Sequence, residues 1–175
     1  TKDGSGSAML KTPGRIGDVI ANMVAAVKIP VTCKIRAGWD ENTIIAPQIT
    51  KIAEQAGASA ICIHGRTRVQ AYKGPANWDW IKQCKDVATT IKVIGNGDVV
   101  DGPAAKKMFE TTGCDAVLVA RGTLGNPWVA EDIIRYLLEE EKQERSLEDC
   151  RQALLQHFHH TLNYHHPRRV AVDMR

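Results

Sequence analysis

The stretch ICIHGRTRVQAYKG, Ile61 to Gly74, decides how this chain is read. It opens as a short apolar run, Ala60 to Ile63, with Gly57 before it and Gly65 after it. That is the pattern of a strand buried on both faces. His64, Arg66, Arg68, Gln70, Tyr72 and Lys73 then follow in close succession. A buried strand running straight into a dense polar loop predicts a parallel sheet whose working face lies at the carboxyl ends of its strands.

Working outward, the same plan recurs. Upstream, Pro13-Gly14 leads into a predicted helix over Arg15 to Val27, then a strand over Val31 to Arg36, then a helix over Thr43 to Gln55. Downstream come a helix over Asn77 to Cys84, a strand over Lys92 to Gly95, a helix over Gly102 to Thr111, a strand over Ala116 to Val119 and a helix from about Pro127. Lys2 to Ala8, KDGSGSA, reads as a loop. Strand and helix alternate four times at intervals of about 25 to 32 residues, the size of a βαβ unit. All four strands are expected to be parallel and buried on both sides.

The fold class is therefore α/β. Four such units make the second half of a (β/α)8 TIM barrel, which takes about 250 residues when whole. An open doubly wound sheet is the alternative, but its G-x-G-x-x-G mark after the first strand is absent. The barrel piece is assigned to residues 1–140. Glu139 to Arg145 is a charged connector, read as a solvated helix end. Residues 146–175 are expected to begin an all-α domain. Ser146 and Asp149 there resemble a capping box, and Leu147, Cys150, Leu154, Phe158 and Leu162 share one helical face. Arg169 to Arg175 reads as the start of a further helix.

Composition bounds the chemistry. The chain has 175 residues, is 43% hydrophobic and 25% charged, and carries a formal charge of +3. These values fit a soluble globular chain, permit a polyanionic partner and do not require one. The longest apolar runs are too short to span a bilayer, and the first residues have no apolar signal region. Cys33, Cys62, Cys84, Cys114 and Cys150 are widely spaced, odd in number and without C-x-x-C. Reduced thiols in a cytoplasmic protein are expected, with no metal site. Thr1 and Arg175 both read as internal positions of a longer protein.

Lys34 and Arg36, His64 and Arg66, Asn96-Gly97-Asp98 and Arg121-Gly122 mark the four strand ends and are expected to converge on one mouth. The last two loops, with Ala120, supply small residues, amides and a guanidinium, as the phosphate loops of barrels do. Lys34 has two readings: a solvent-facing lysine, or a cation beside an electron-rich cofactor ring such as a reduced flavin. His64 is either a satisfied core histidine or a site residue. Arg66 and Arg68 suit phosphate or nucleic acid. Trp39 and Tyr72 offer stacking surfaces. The histidines from His157 to His166 read as a basic face for an RNA backbone or as a plain solvated face, in preference to a metal site.

Together these residues resemble the tRNA-dihydrouridine synthases, nearest to the bacterial B-type branch. The stretches that carry the resemblance are KDGSGSAML (Lys2–Leu10), PVTCKIRAGW (Pro30–Trp39), HGRTRVQAYKG (His64–Gly74), IGNGD (Ile94–Asp98) and VARGTLGNPW (Val119–Trp128). The resemblance implies an FMN-dependent enzyme that uses NADPH to reduce chosen uridines of tRNA to dihydrouridine. Lys34 and His64 would contact the flavin, and Asn96, Gly97, Asp98, Ala120 and Arg121 would form its phosphate loops. Arg66, Arg68, Arg168 and Arg169 would serve phosphate or RNA. The family's general-acid cysteine lies in a Gly-Cys-Pro loop that would fall before Thr1, so no catalytic residue is assigned in this chain. The 175-residue segment alone is expected to be inactive, and to aggregate or dimerise through its uncovered sheet edge. Ala120 stands where the family often has Gly. No protein partner is predicted. The rival readings are another FMN barrel of the dihydroorotate-dehydrogenase type and a non-catalytic RNA-binding scaffold.

Overall fold

A computed structural model describes residues 4–173. Lys2 and Asp3 of the predicted first loop lie outside the described residues. Four strands form one sheet: β1 (Thr32–Arg36), β2 (Ala60–His64), β3 (Lys92–Asn96) and β4 (Ala116–Leu118). They are all parallel and lie in sequence order, β1-β2-β3-β4. A doubly wound sheet would reverse its order at a switch point. This one does not, and the arrangement is part of a (β/α)8 barrel.

The helices that precede, separate and follow them are α1 (Pro13–Ala26), α2 (Ala46–Gln55), α3 (Asp79–Val87), α4 (Gly102–Thr112) and α5 (Val129–Leu137). In register, Ile61 lies beside Val93, and Ile63 beside Gly95. Ile61, Ile63 and Val93 are fully buried, as are Ile49, Ile81 and Met108 from the helices. Gly95 is needed there, because an added Cβ would collide with Met108 Sδ.

Two-sided burial of all four strands does not hold. β2 is buried along most of its length, but β1 alternates between exposed and half-buried and β4 is half-buried throughout. β1 and β4 are edge strands with one neighbour each, and the other face of the sheet lines a cavity.

Three boundaries move for local reasons. α2 starts at Ala46, not Thr43, because Asp40 Oδ1 accepts from Asn42 N at 3.1 Å and Thr43 Oγ1 at 2.8 Å, closing a turn first. Pro47 then fits the opening turn of the helix. α3 starts at Asp79, whose N–H donates to Asn77 Oδ1 at 3.0 Å. The predicted first loop runs into a 3-10 helix, Gly6–Lys11, which starts inside it and is anchored beyond it by buried Leu10.

At the amino ends of the strands, Glu54 accepts from the N–H groups of Thr89, Thr90 and Ile91. The Thr90 and Ile91 N–H groups, with the Thr89 and Thr90 hydroxyls, hold its carboxyl down at about 2.

The chain divides into two compact units after Leu138. Glu139 has φ 58°, and the connector is irregular rather than a helix end. A run of glutamates at a helix C-terminus opposes the helix dipole. In the second unit, α6 (Leu147–Leu162) opens with a true capping box: Asp149 N donates to Ser146 Oγ at 3.1 Å, and Ser146 N to Asp149 Oδ2 at 2.8 Å. α7 (Pro167–Asp173) follows, with Val170 buried. No helix is long and apolar enough to cross a membrane among the described residues.

Candidate functional site

Alternation along parallel strands sends every second side chain to the same face. Lys34 sits beside Cys62, and Arg36, His64 and Asn96 lie in one row at the carboxyl ends. Lys34, Arg36, His64 and Asn96 floor a cavity of about 850 Å³. Lys34 is exposed, but its ammonium is fixed: Nζ donates to Asn96 Oδ1 at 2.7 Å and approaches Cys62 Sγ at 3.8 Å. Asn96 Nδ2 donates to the Leu118 carbonyl at 2.8 Å. One amide therefore connects β1, β3 and β4 and aims a cation into the cavity.

The loop after β2 forms a strap across one side of this mouth. Gln70 knots it, giving Nε2 to the carbonyls of Lys73 at 2.9 Å and Pro75 at 3.1 Å, while Thr67 Oγ1 accepts from Gln70 N at 3.0 Å. Arg36 Nη1 donates to the carbonyls of Thr67 and Ala71, both at 2.9 Å. Ala71 takes φ 55°, a left-handed conformation that a non-glycine residue adopts only when its surroundings fix it. The strap carries Tyr72 into the cavity lining.

Arg66 is not available to an RNA backbone. Its side chain is 3% exposed, with Nη2 on both carboxylate oxygens of Asp98 at 2.7 Å and on the Gly74 carbonyl at 2.7 Å. A cation buried this deeply needs its carboxylate partner. Arg68 is half-buried on the same strap, outside the residues that line the cavity.

Two further loops line the cavity beside the strap, Asn96-Gly97-Asp98 and Ala120-Arg121-Gly122. Gly97 has φ 117°, and an added Cβ would lie 2.8 Å from Ala76 Cβ and 3.0 Å from His64 Cδ2. Its carbonyl accepts from Trp78 Nε1 at 2.9 Å. Asp98 follows at φ 58°. Arg121 Nη2 donates to Asp98 Oδ1 at 2.9 Å, and its guanidinium lies 4.6 Å from the centre of the Tyr72 ring. Burial opposes charge on Asp98, but the Arg66 bond, the Ala76 N–H and the charges of Arg66 and Arg121 outweigh it, holding the carboxyl below its ordinary value.

His64 is buried, and desolvation together with the charges of Arg36, Lys34 and Arg66 pushes its pKa down to about 4. It is neutral at pH 7. Arg66 Nη1 lies 3.3 Å from His64 Nε2, and a guanidinium can only donate. Nε2 is therefore the acceptor, and the ring proton sits on Nδ1. Burial pushes the Cys33 thiol up to about 11 and raises that of Cys62. Neither is poised to give or take a proton near neutrality.

These residues suit a phosphorylated aromatic cofactor. A guanidinium and two glycine-bearing loops stand at one end, an ammonium and a neutral imidazole on the floor, and apolar residues such as Leu10, Ile16 and Met23 on the wall. Sequence reasoning missed that wall, although its spacing along α1 was readable. It also left Arg36, the brace of the strap, without a role. Arg168 and Arg169 are exposed residues of α7 in the second unit. Among the described residues no group of three or more His, Cys, Asp or Glu could hold a metal ion.

Comparison with known proteins places the chain in a family. The family model described as Dihydrouridine synthase (Dus) matches residues 1–175. A probable tRNA-dihydrouridine synthase from Rickettsia bellii (strain RML369-C) is 42% identical over 162 residues, covering 92% of this chain and 49% of that protein. The tRNA-dihydrouridine synthase B of Pseudomonas syringae pv. tomato (strain ATCC BAA-871 / DC3000) is 42% identical over 134 residues, 77% of this chain and 40% of that protein. That of Pasteurella multocida (strain Pm70) is 39% identical over 155 residues, 87% and 46% of the two chains. The chain spans about half the length of the curated relatives it matches, and it belongs to the dihydrouridine synthase family.

Proposed function

We propose that the protein containing this chain reduces chosen uridines of tRNA to 5,6-dihydrouridine in the cytoplasm, with FMN as cofactor and NADPH as reductant. The observation that carries this reading is a cavity at the carboxyl ends of the parallel strands, lined by Lys34, His64, Asn96 to Asp98 and Ala120 to Gly122. Bound FMN would supply the hydride chemistry, drawing on NADPH and reducing the C5–C6 double bond of uracil.

The chain's own residues do the rest of the work assigned here. Lys34, steadied by Asn96, places a positive charge beside the flavin ring. His64 offers its Nδ1–H as a neutral donor. Arg121, with the backbone around Gly97 and Ala120, receives the phosphate. Arg68, Arg168 and Arg169 meet the RNA backbone. The target base is flipped out of the tRNA to reach the mouth. The general acid is a cysteine outside these 175 residues, so the segment alone is inactive.

The test uses the full-length protein. A flavin spectrum bleached by NADPH, with dihydrouridine formed in unmodified tRNA, is the expected result. Bleaching without RNA modification would redirect the assignment to a small-molecule reductase. No flavin binding would overturn it.

A further inference from the structure

Asp98 is a poor phosphate ligand, and its surroundings explain why it is nevertheless in the phosphate loop. Its carboxylate is fully engaged. Oδ1 accepts from Arg66 Nη2 at 2.7 Å and Arg121 Nη2 at 2.9 Å. Oδ2 accepts from Arg66 Nη2 and the Ala76 N–H, both at 2.7 Å. A dianionic phosphate against this group would meet like charge. Yet three segments end on it: the strap at Arg66 and Ala76, its own loop after β3, and the loop after β4 at Arg121.

Arg121 is 49% exposed and has a long side chain with much rotamer freedom to lose on binding an anion. Here that freedom is already restricted, by Asp98 on one side and the Tyr72 ring on the other. Two guanidiniums and one carboxylate leave a surplus of one positive charge, so the cluster still attracts an anion. The buried Arg66 fixes the carboxylate, and the carboxylate fixes Arg121.

We propose that Asp98 is a positioning residue: it holds the Arg121 guanidinium at the cavity mouth to receive the ligand's phosphate without touching that phosphate itself. The inference rests on the flavin reading above. It departs from the sequence-based assignment of Asp98 as a cofactor contact.

The experiment uses the full-length protein stripped of cofactor and titrated with FMN and with riboflavin, which lacks the phosphate, by fluorescence quenching. Asp98→Asn keeps the size of the side chain, and Asn tolerates the left-handed backbone well. It is expected to weaken FMN at least about tenfold, the scale of one lost charge-assisted hydrogen bond, and to leave riboflavin unchanged. Arg121→Ala should do the same. The double variant should bind FMN no more weakly than the worse single variant, because both remove one interaction. Asp98→Asn leaves Arg66 buried without a full counter-charge. The paired variant Arg66→Met with Asp98→Asn removes that liability and should show the same FMN-specific loss if the single variant does not fold. Equal losses for FMN and riboflavin, or additive single effects, would reduce Asp98 to a structural role and overturn the inference. So would a variant that binds FMN like the parent. A parent protein that binds neither compound would overturn the flavin reading, and this inference with it.

Discussion

Asp98 at the mouth and Asp115 at the opposite end of the strands do the same chemistry with different partners. Each carboxylate accepts from two cations and one backbone N–H. Asp115 takes Lys85 at 2.7 Å, Lys92 at 3.3 Å and Val93 N at 2.9 Å. Asp98 takes Arg66, Arg121 and Ala76 N. The Lys85 and Lys92 side chains are 32% and 68% exposed, whereas that of Arg66 is 3% exposed. Lysine is a hydrated point charge that pins a strand start and tolerates movement. Arginine is a planar fork that fixes direction as well as distance. Barrel enzymes divide their ends in this way, with stability at the amino face and chemistry at the carboxyl face. Here the division reaches down to the choice of cation around two similar carboxylates.

The comparison can be broken by substitution in the full-length protein. Asp98→Ala should have the largest effect, a loss of about 3 kcal/mol or more in denaturant unfolding, because it strands a buried guanidinium. A loss equal to that of Asp115→Ala would erase the distinction between the two ends. Next comes Gly97→Ala, expected to cost about 1–3 kcal/mol, because φ 117° and a Cβ 2.8 Å from Ala76 Cβ leave a side chain no comfortable position. Asp115→Asn should cost about 1 kcal/mol by the same measurement and leave FMN affinity unchanged. Lys92→Ala, removing the longer and more exposed contact, should fall below about 0.5 kcal/mol.

Acid titration sharpens the contrast along a different axis. His64 is depressed to about 4, so the unfolded chain takes its proton first as pH falls. Its contribution is present above the ordinary histidine range and is lost between there and about pH 4. Asp115 is held at about 2 because the Lys85 bond, the Val93 N–H and the Lys92 bond outweigh the effect of burial. Its contribution is present above the ordinary carboxylate range and is lost only as pH falls toward 2. His64→Gln should flatten the first window, and Asp115→Asn the second. Melting temperature followed against pH tests both, and an unchanged first window in His64→Gln would refute the account of His64.

How much of this was legible in the sequence depended on distance along the chain. The apolar run at Ile61 predicted its strand, and Ser146 with Asp149 predicted its cap, because both signals are local. The helix starts at Ala46 and Asp79 were displaced by side chains that close a turn or a cap just upstream. Pro47 was a readable clue to the first. The fate of Arg66 was not readable: its carboxylate is 32 positions away, joined only when the sheet sets Asn96 beside His64. Burial of β1 and β4 was misjudged because strand composition does not show which strands lie at an edge.

Trp78 has a use of its own. Its indole N–H is tied to the carbonyl of Gly97, within the loop assigned to the phosphate. Protein tryptophan emits where oxidised flavin absorbs, so the protein carries a built-in energy donor at the rim of its site. If the cavity takes flavin as proposed, its loading can be followed by the dimming of that emission, with no label attached. Trp39, Trp80 and Trp128 replaced by Phe would leave Trp78 as the reporter within this chain.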